Sequence, residues 1–157
     1  MRDGKVKWFA MSRYASEYWQ EFEQPKIILP AIEKRTSFAL DESGFFGNDK
    51  TNICVSPDAP FLAAILNSSV AWWIIRQTAS GKQGGYFEFK PMYVTQIPIP
   101  KIEKKDQQPF VALVDQILEL KKAGEDTQEL ENEIDTLVYR LYDLTDEEIA
   151  IVEGKTI

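Results

Sequence analysis

Two carboxylates and a lysine have the strongest claim to chemistry in this sequence. Pro57-Asp58 followed by Glu88-Phe89-Lys90 matches the outline of the Pro-Asp…Glu-x-Lys site of metal-dependent nucleases. There the carboxylates hold a divalent ion and the lysine assists the attacking water. The local context points elsewhere: Ser56-Pro57-Asp58-Ala59-Pro60 has the capping residues and prolines of a helix start, and a Glu-x-Lys triplet arises readily by chance. Asp58 is therefore read as a helix-start residue, with the nuclease built on Asp58, Glu88 and Lys90 kept as an alternative. The chain has no histidine, which excludes Ser-His-Asp and Cys-His nucleophiles and the histidine-bearing zinc sites. Its one cysteine, Cys54, cannot close an internal disulfide, and its neighbours Ile53 and Val55 make it a core thiol on a strand. Neither a GxxxxGK[ST] loop nor a strand-following GxGxxG is present. No catalytic, metal or cofactor residue is assigned to this chain.

The remaining polar features suit binding. Gly81-Lys82-Gln83-Gly84-Gly85 offers exposed backbone N–H groups, a cation and a side-chain amide able to pair bidentately with adenine; a plain helix-to-strand connection would use the same residues. Tyr86 opens the strand behind it. Lys34, Arg35, Lys50 and Arg76 are body cations able to approach phosphates, and Asn48 lies beside Lys50 as a further polar candidate. Trp72-Trp73 has the composition of a base-stacking platform, but adjacent aromatics within an apolar helix point to different sides, and burial is the better reading.

The net charge of −7 is divided unevenly. Residues 1–105 carry 14 Lys and Arg against 11 Asp and Glu, and residues 106–157 carry 4 against 14. A mildly basic body with an acidic tail is compatible with nucleic acid, because local patches set the field at a phosphate backbone. No segment reaches the roughly 18 apolar residues of a membrane span, and the charged start has no signal-like apolar run, so a cytoplasmic protein without membrane contact is expected.

Hydrophobic patterning supplies the elements that must carry these groups. Lys5 to Phe9 reads as a strand and Ser12 to Gln24 as a helix stopped by Pro25. Lys26-Ile27-Ile28-Leu29-Pro30 is a buried strand, and Thr36 to Leu40 and Thr51 to Val55 a strand pair joined by a polar, glycine-bearing loop. A helix with apolar residues from Phe61 to Leu66 and Val70 to Ile75 follows. Tyr86 to Phe89 is another strand, and Ile97-Pro98-Ile99-Pro100 an extended exit. From Gln107, two helices with matching apolar stripes form an antiparallel hairpin about Gly124-Glu125-Asp126. Thr145-Asp146-Glu147-Glu148 is a capping box flanked by Leu144 and Ile149, opening a short helix that ends at Gly154. The fold class is α+β: a small mixed or antiparallel sheet packed with helices over residues 1–105, then a helical hairpin and a short capped helix over 106–157.

Leu66-Asn67-Ser68, Tyr86 to Lys90, Ile97-Pro98-Ile99-Pro100 and Leu137 to Gly154 together resemble, in their order, the C-terminal specificity domain of TaqI-like and Eco57I-like adenine-N6 methyltransferases and type IIG restriction–modification enzymes. The same organisation, a helix ending in Leu-Asn-Ser, a glycine break, a strand and then an Ile-Pro-Ile-Pro exit into a long helix, resembles a target-recognition half of type I specificity subunits. The resemblance runs from about Lys5 to Gly154. It implies that the domain clamps double-stranded DNA against an upstream methyltransferase domain of the same enzyme, reads base edges and lets that enzyme flip its target adenine. The catalytic Asn-Pro-Pro-[Tyr/Phe] motif, S-adenosylmethionine and any magnesium are expected in domains that precede this chain, along with part of the recognition domain. A protein–protein or scaffold role for the acidic tail is the alternative from another class.

Overall fold

The computed structural model describes residues 19–155; the expected strand over 5–9 and most of the expected helix over 12–24 lie outside them. What is described of that helix is a 3-10 turn, Trp19–Glu23, ending before Pro25. The architecture is α+β, with two three-stranded antiparallel sheets and six α-helices among the described residues.

The first sheet is centred on β1 (Lys26–Pro30), flanked by β3 (Ala39–Asp41) and β4 (Thr51–Val55). The predicted pairing of the 36–40 and 51–55 segments is corrected here: both pair with β1 and not with each other, Ile27 facing Leu40 on one side and Cys54 on the other. The prolyl end of β1 is tolerated because Pro30 is its last residue, where a missing N–H interrupts no ladder. Thr36 to Phe38 do not join the sheet. The Phe38 N–H donates to Asn67 Oδ1 at 2.8 Å, and Asn67 Nδ2 donates to the Phe38 carbonyl at 2.9 Å, so a side-chain amide stands where a strand partner would.

Beneath the loop from β3 to β4 lies a buried ion pair. Lys26, fully buried, bonds Asp41 and the Phe22 carbonyl. Asp41 also accepts from the N–H groups of Ser43 and Phe45, at 2.9 Å each. Burial opposes ionisation of Asp41, but the Lys26 ammonium and the two N–H donors outweigh it and hold the carboxyl below its ordinary range.

The second sheet has the strands β2 (Ile32–Glu33), β5 (Gly81–Lys82) and β6 (Tyr86–Glu88), and a short helix α3 (Pro91–Val94) follows it. The two sheets meet at Ala31, whose N–H donates to the Lys50 carbonyl at 2.8 Å and whose carbonyl accepts from the Phe89 N–H at 2.9 Å. The helix predicted from the apolar residues Phe61 to Leu66 and Val70 to Ile75 is instead two, α1 (Ala59–Asn67) and α2 (Ser69–Thr78), bent by 66° at Ser68, the first ending at Leu66-Asn67-Ser68 as the resemblance implied. Ser68 Oγ accepts from the Ala71 N–H and donates to the Ile65 carbonyl, capping one helix while closing the other. Ser69 adds a partner remote in sequence: its N–H and hydroxyl both donate to Asp135, at 2.7 and 2.6 Å.

Two apolar clusters hold the molecule. One joins Ile27, Leu29, Phe38, Ala63, Ile75 and Phe89 between the first sheet and α1–α2, with Cys54 half-buried at its edge. The other joins Phe61, Ile65 and Val70 to Phe110, Val114, Ile134 and Val138 of α4 (Lys104–Ala123) and α5 (Gln128–Leu141). The apolar stripes of the tail are thus packed on α1 and α2. Gly124, at φ +73°, ends α4 in the left-handed conformation that glycine adopts without a Cβ penalty. α6 (Asp146–Val152) opens on the reciprocal Thr145–Glu148 capping box, and Leu144 and Ile149 pack on the second cluster. The Tyr142 hydroxyl donates to the Pro98 carbonyl, tying the exit segment to the tail; burial pushes that phenol up to about 12.

Candidate nucleic-acid interface

The glycine-bearing segment expected to link a helix to a strand is the tip of a β-hairpin. Gly81 faces Phe87 and Lys82 faces Tyr86, leaving Gln83-Gly84-Gly85 as a three-residue loop. Gly84 and Gly85 lie at φ +81° and +80°, where an L side chain is strained. At Gly85 a Cβ would meet nothing within 4 Å, so the dihedral and not the space requires glycine. On its other side β6 pairs with β2, Ile32 facing Glu88 and Glu33 facing Phe87.

Strand alternation divides the side chains between two faces. Phe87 turns inward, edge-on to Trp72 with ring centroids 5.2 Å apart, and Arg76 lies over the other ring of that pair, 5.7 Å from the Trp72 centroid. Trp72 and Trp73 are half-buried, in keeping with a packing role. Tyr86 and Glu88 turn outward. Lys34, one residue past β2, places its Nζ 5.1 Å from the Tyr86 ring centroid, an arrangement worth about 0.5–1 kcal/mol at an exposed site. Lys82 Nζ lies 3.0 Å from Glu88 Oε1, and Lys90 Nζ 3.0 Å from Glu88 Oε2. Those two ammonium groups, Lys82 first, hold the Glu88 carboxyl below its usual range, and Glu88 in turn raises Lys90. The outer face therefore gathers three lysines, one carboxylate, an exposed tyrosine and the exposed Ile32 beside a glycine-bearing tip. Gln83, at that tip, is exposed and makes no side-chain hydrogen bond among the described residues.

Of the residues proposed from sequence, Lys34, Lys82, Gln83, Gly84, Gly85 and Tyr86 come together on this hairpin. The others do not join them. Arg35 lines a cleft of about 450 Å³ between the β3 side of the body and the tail, with Thr36, Asn67, Lys121 and Glu131. Burial opposes ionisation of Glu131 there, but bonds from Thr127 and Lys121, with the nearby Arg35 charge, keep its pKa low. Asn48 and Lys50 form an exposed turn before β4, the Asn48 side chain accepting from the Lys50 N–H at 2.9 Å and Lys50 pairing with Asp49. Arg76 lies behind β6, stacked on Trp72.

Asp58 flanks α1 as its N-cap residue without making a side-chain cap bond, and pairs instead with Lys104 at the start of α4. Asp58 and Glu88 thus enter separate ion-pair clusters with no shared partner, and no group of three or more Cys, Asp or Glu side chains suited to a metal ion occurs among the described residues. Sequence reasoning met Glu88 and Lys90 only as nuclease candidates. The signal that places them beside Lys82 is the period of two along Tyr86–Glu88 once the hairpin register is known. Among the described residues no single helix is long and apolar enough to cross a membrane.

Residues 5–99 match the family model of the TaqI-like C-terminal specificity domain. No curated protein matches the chain.

Proposed function

We propose that this chain, which belongs to the family of TaqI-like C-terminal specificity domains found in restriction–modification enzymes, recognises duplex DNA sequence-specifically through the outer face of the β5–β6 hairpin, beside the methyltransferase domain of an adenine-N6 methyltransferase. The observation that carries this reading is the convergence of Lys34 on Tyr86 and of Lys82 and Lys90 on Glu88 along one strand face, next to a glycine-rich tip. A two-stranded ribbon fits a major groove about 12 Å wide. In that pose the lysines contact phosphates and fix register, Gln83 reaches base edges, and Gly84 and Gly85 let the backbone approach closely. S-adenosylmethionine and any magnesium belong, in this reading, to the partner domain, and no chemical step is assigned to Asp58, Glu88 or Lys90.

Fluorescence anisotropy with a labelled duplex at several salt concentrations tests the face. Lys34→Gln, Lys82→Gln and Lys90→Gln should each weaken binding to all sequences and flatten the salt dependence. In the complete enzyme, Gln83→Ala should shift base preference by about 1–3 kcal/mol at one position. Failure of the wild-type chain to bind any duplex at low salt would refute the reading. The second reading, a protein-docking tail, draws on the 14 acidic against 4 basic residues of 106–157; because the apolar stripes of α4 and α5 are packed on the body, such a partner would have to bind through charge. Salt-sensitive capture of a basic protein, with no DNA binding, would favour it.

A further inference from the structure

Glu88 is placed differently from the lysines it holds. Its side chain is 13% exposed, against 43% for Lys82 and 55% for Lys90. The carboxylate thus lies low on β6, on a residue fixed by strand pairing with Ile32, and the two ammonium groups reach over it from outside. Both carboxylate oxygens are used, one per lysine, each at 3.0 Å. A phosphate approaching this face would offer the same two lysines the same pair of charged oxygens. Lys34 has no carboxylate partner among the described residues; its ammonium rests on the Tyr86 ring.

We infer that Glu88 is a built-in competitor of DNA phosphate: its carboxylate occupies Lys82 and Lys90 in the free protein, and its fixed charge suppresses sequence-independent binding by this face. The inference rests on the DNA-facing reading of the hairpin. A duplex that offers only phosphates must displace or share Glu88 without compensation. A duplex that also satisfies the base-reading tip gains contacts that offset the exchange, so the carboxylate widens the gap between right and wrong sequences. Lys34, with no acidic partner among the described residues, supplies the unopposed part of the attraction.

The test uses the full chain and a random-sequence duplex, with anisotropy read across a salt series and thermal unfolding run on every variant. Glu88→Gln keeps the shape and removes the charge; it should bind roughly three- to tenfold tighter at low salt, with a salt slope steeper by about 0.9. Lys82→Gln should then cost more in the Glu88→Gln background than in the wild type, a coupling that a purely structural glutamate would not produce. Unchanged or weaker binding by a folded Glu88→Gln variant overturns the inference and leaves the DNA-facing reading intact. If Glu88→Gln does not fold, the wild-type background decides: Lys34→Gln should cost more affinity than Lys82→Gln or Lys90→Gln, and equal losses overturn the role of Glu88. Absence of binding by the wild type and every variant overturns the reading of the face itself.

Discussion

Lysine meets a carboxylate in both sheets, and the two meetings have opposite physical characters. In the first sheet Lys26 and Asp41 are sealed from water, with Asp41 taking two further N–H bonds from the loop it anchors. In the second, Lys82 and Lys90 straddle Glu88 with their ammonium ends in solvent. A buried pair is costly to break, because the survivor is left charged without water. An exposed pair is worth about 0–1 kcal/mol and is exchanged easily. The same chemistry therefore serves as a fixture in one sheet and as a replaceable contact in the other.

The strongest way to break this comparison is at the buried pair. Asp41→Asn should destabilise the fold by about 3–5 kcal/mol by leaving the Lys26 ammonium unpaired, seen as a lower denaturant midpoint. The same group sets the acid limit. Since the folded-state pKa of Asp41 is depressed, its stabilisation is present above the ordinary carboxylate range and is lost as pH falls through the lower, folded value. Thermal melts from pH 6 downward should show Asp41→Asn losing less stability on acidification than the wild type.

Asp135 sharpens the contrast from a third place, where a half-buried carboxylate serves neutral donors. Asp135→Ala removes both bonds to Ser69 at the start of α2 and should cost about 1.5–3 kcal/mol, with faster amide exchange in the first turn of that helix. At the hairpin tip, Gly85→Ala forces a Cβ into the left-handed region and should cost about 1–2 kcal/mol; a smaller cost would mean that the tip relaxes freely. The smallest effect is expected at the exposed pair itself. Lys82→Gln should change stability by less than about 1 kcal/mol, and a larger loss in equilibrium unfolding would erase the distinction between the sheets.

Local patterning was enough for β1, for α4, α5 and the Thr145 capping box, and for the α+β class, because each rests on residues within a few positions of one another. It was insufficient wherever a distant partner decides. The bonds that hold the start of α2 come from Asp135, 66 positions from Ser69, and those that hold Phe38 from Asn67, 29 positions away; the neighbouring residues announce neither partner. β3 and β4 were read as neighbours because a loop joins them, whereas β1 takes the place between, a matter of sheet order that composition does not encode. At the candidate interface, residue types were legible and their grouping was not. Lys34 is 48 positions from Lys82 in sequence, and only the register of β2 on β6 and of β6 on β5 brings both to one face. Arg35, adjacent to Lys34, falls by contrast beside Glu131.

The junction at Ala31 gives the two sheets a common mechanical element. β1 ends at Pro30 and β2 begins at Ile32, so one residue separates a strand anchored in the buried core from a strand that borders the exposed hairpin. With its N–H committed to the first sheet's side and its carbonyl to Phe89, Ala31 acts as a fulcrum with no slack on either arm. The exposed hairpin is thereby coupled through β2 to the strand that carries Lys26, and Asn52 adds a second tie by donating from Nδ2 to the Phe89 carbonyl at 3.3 Å.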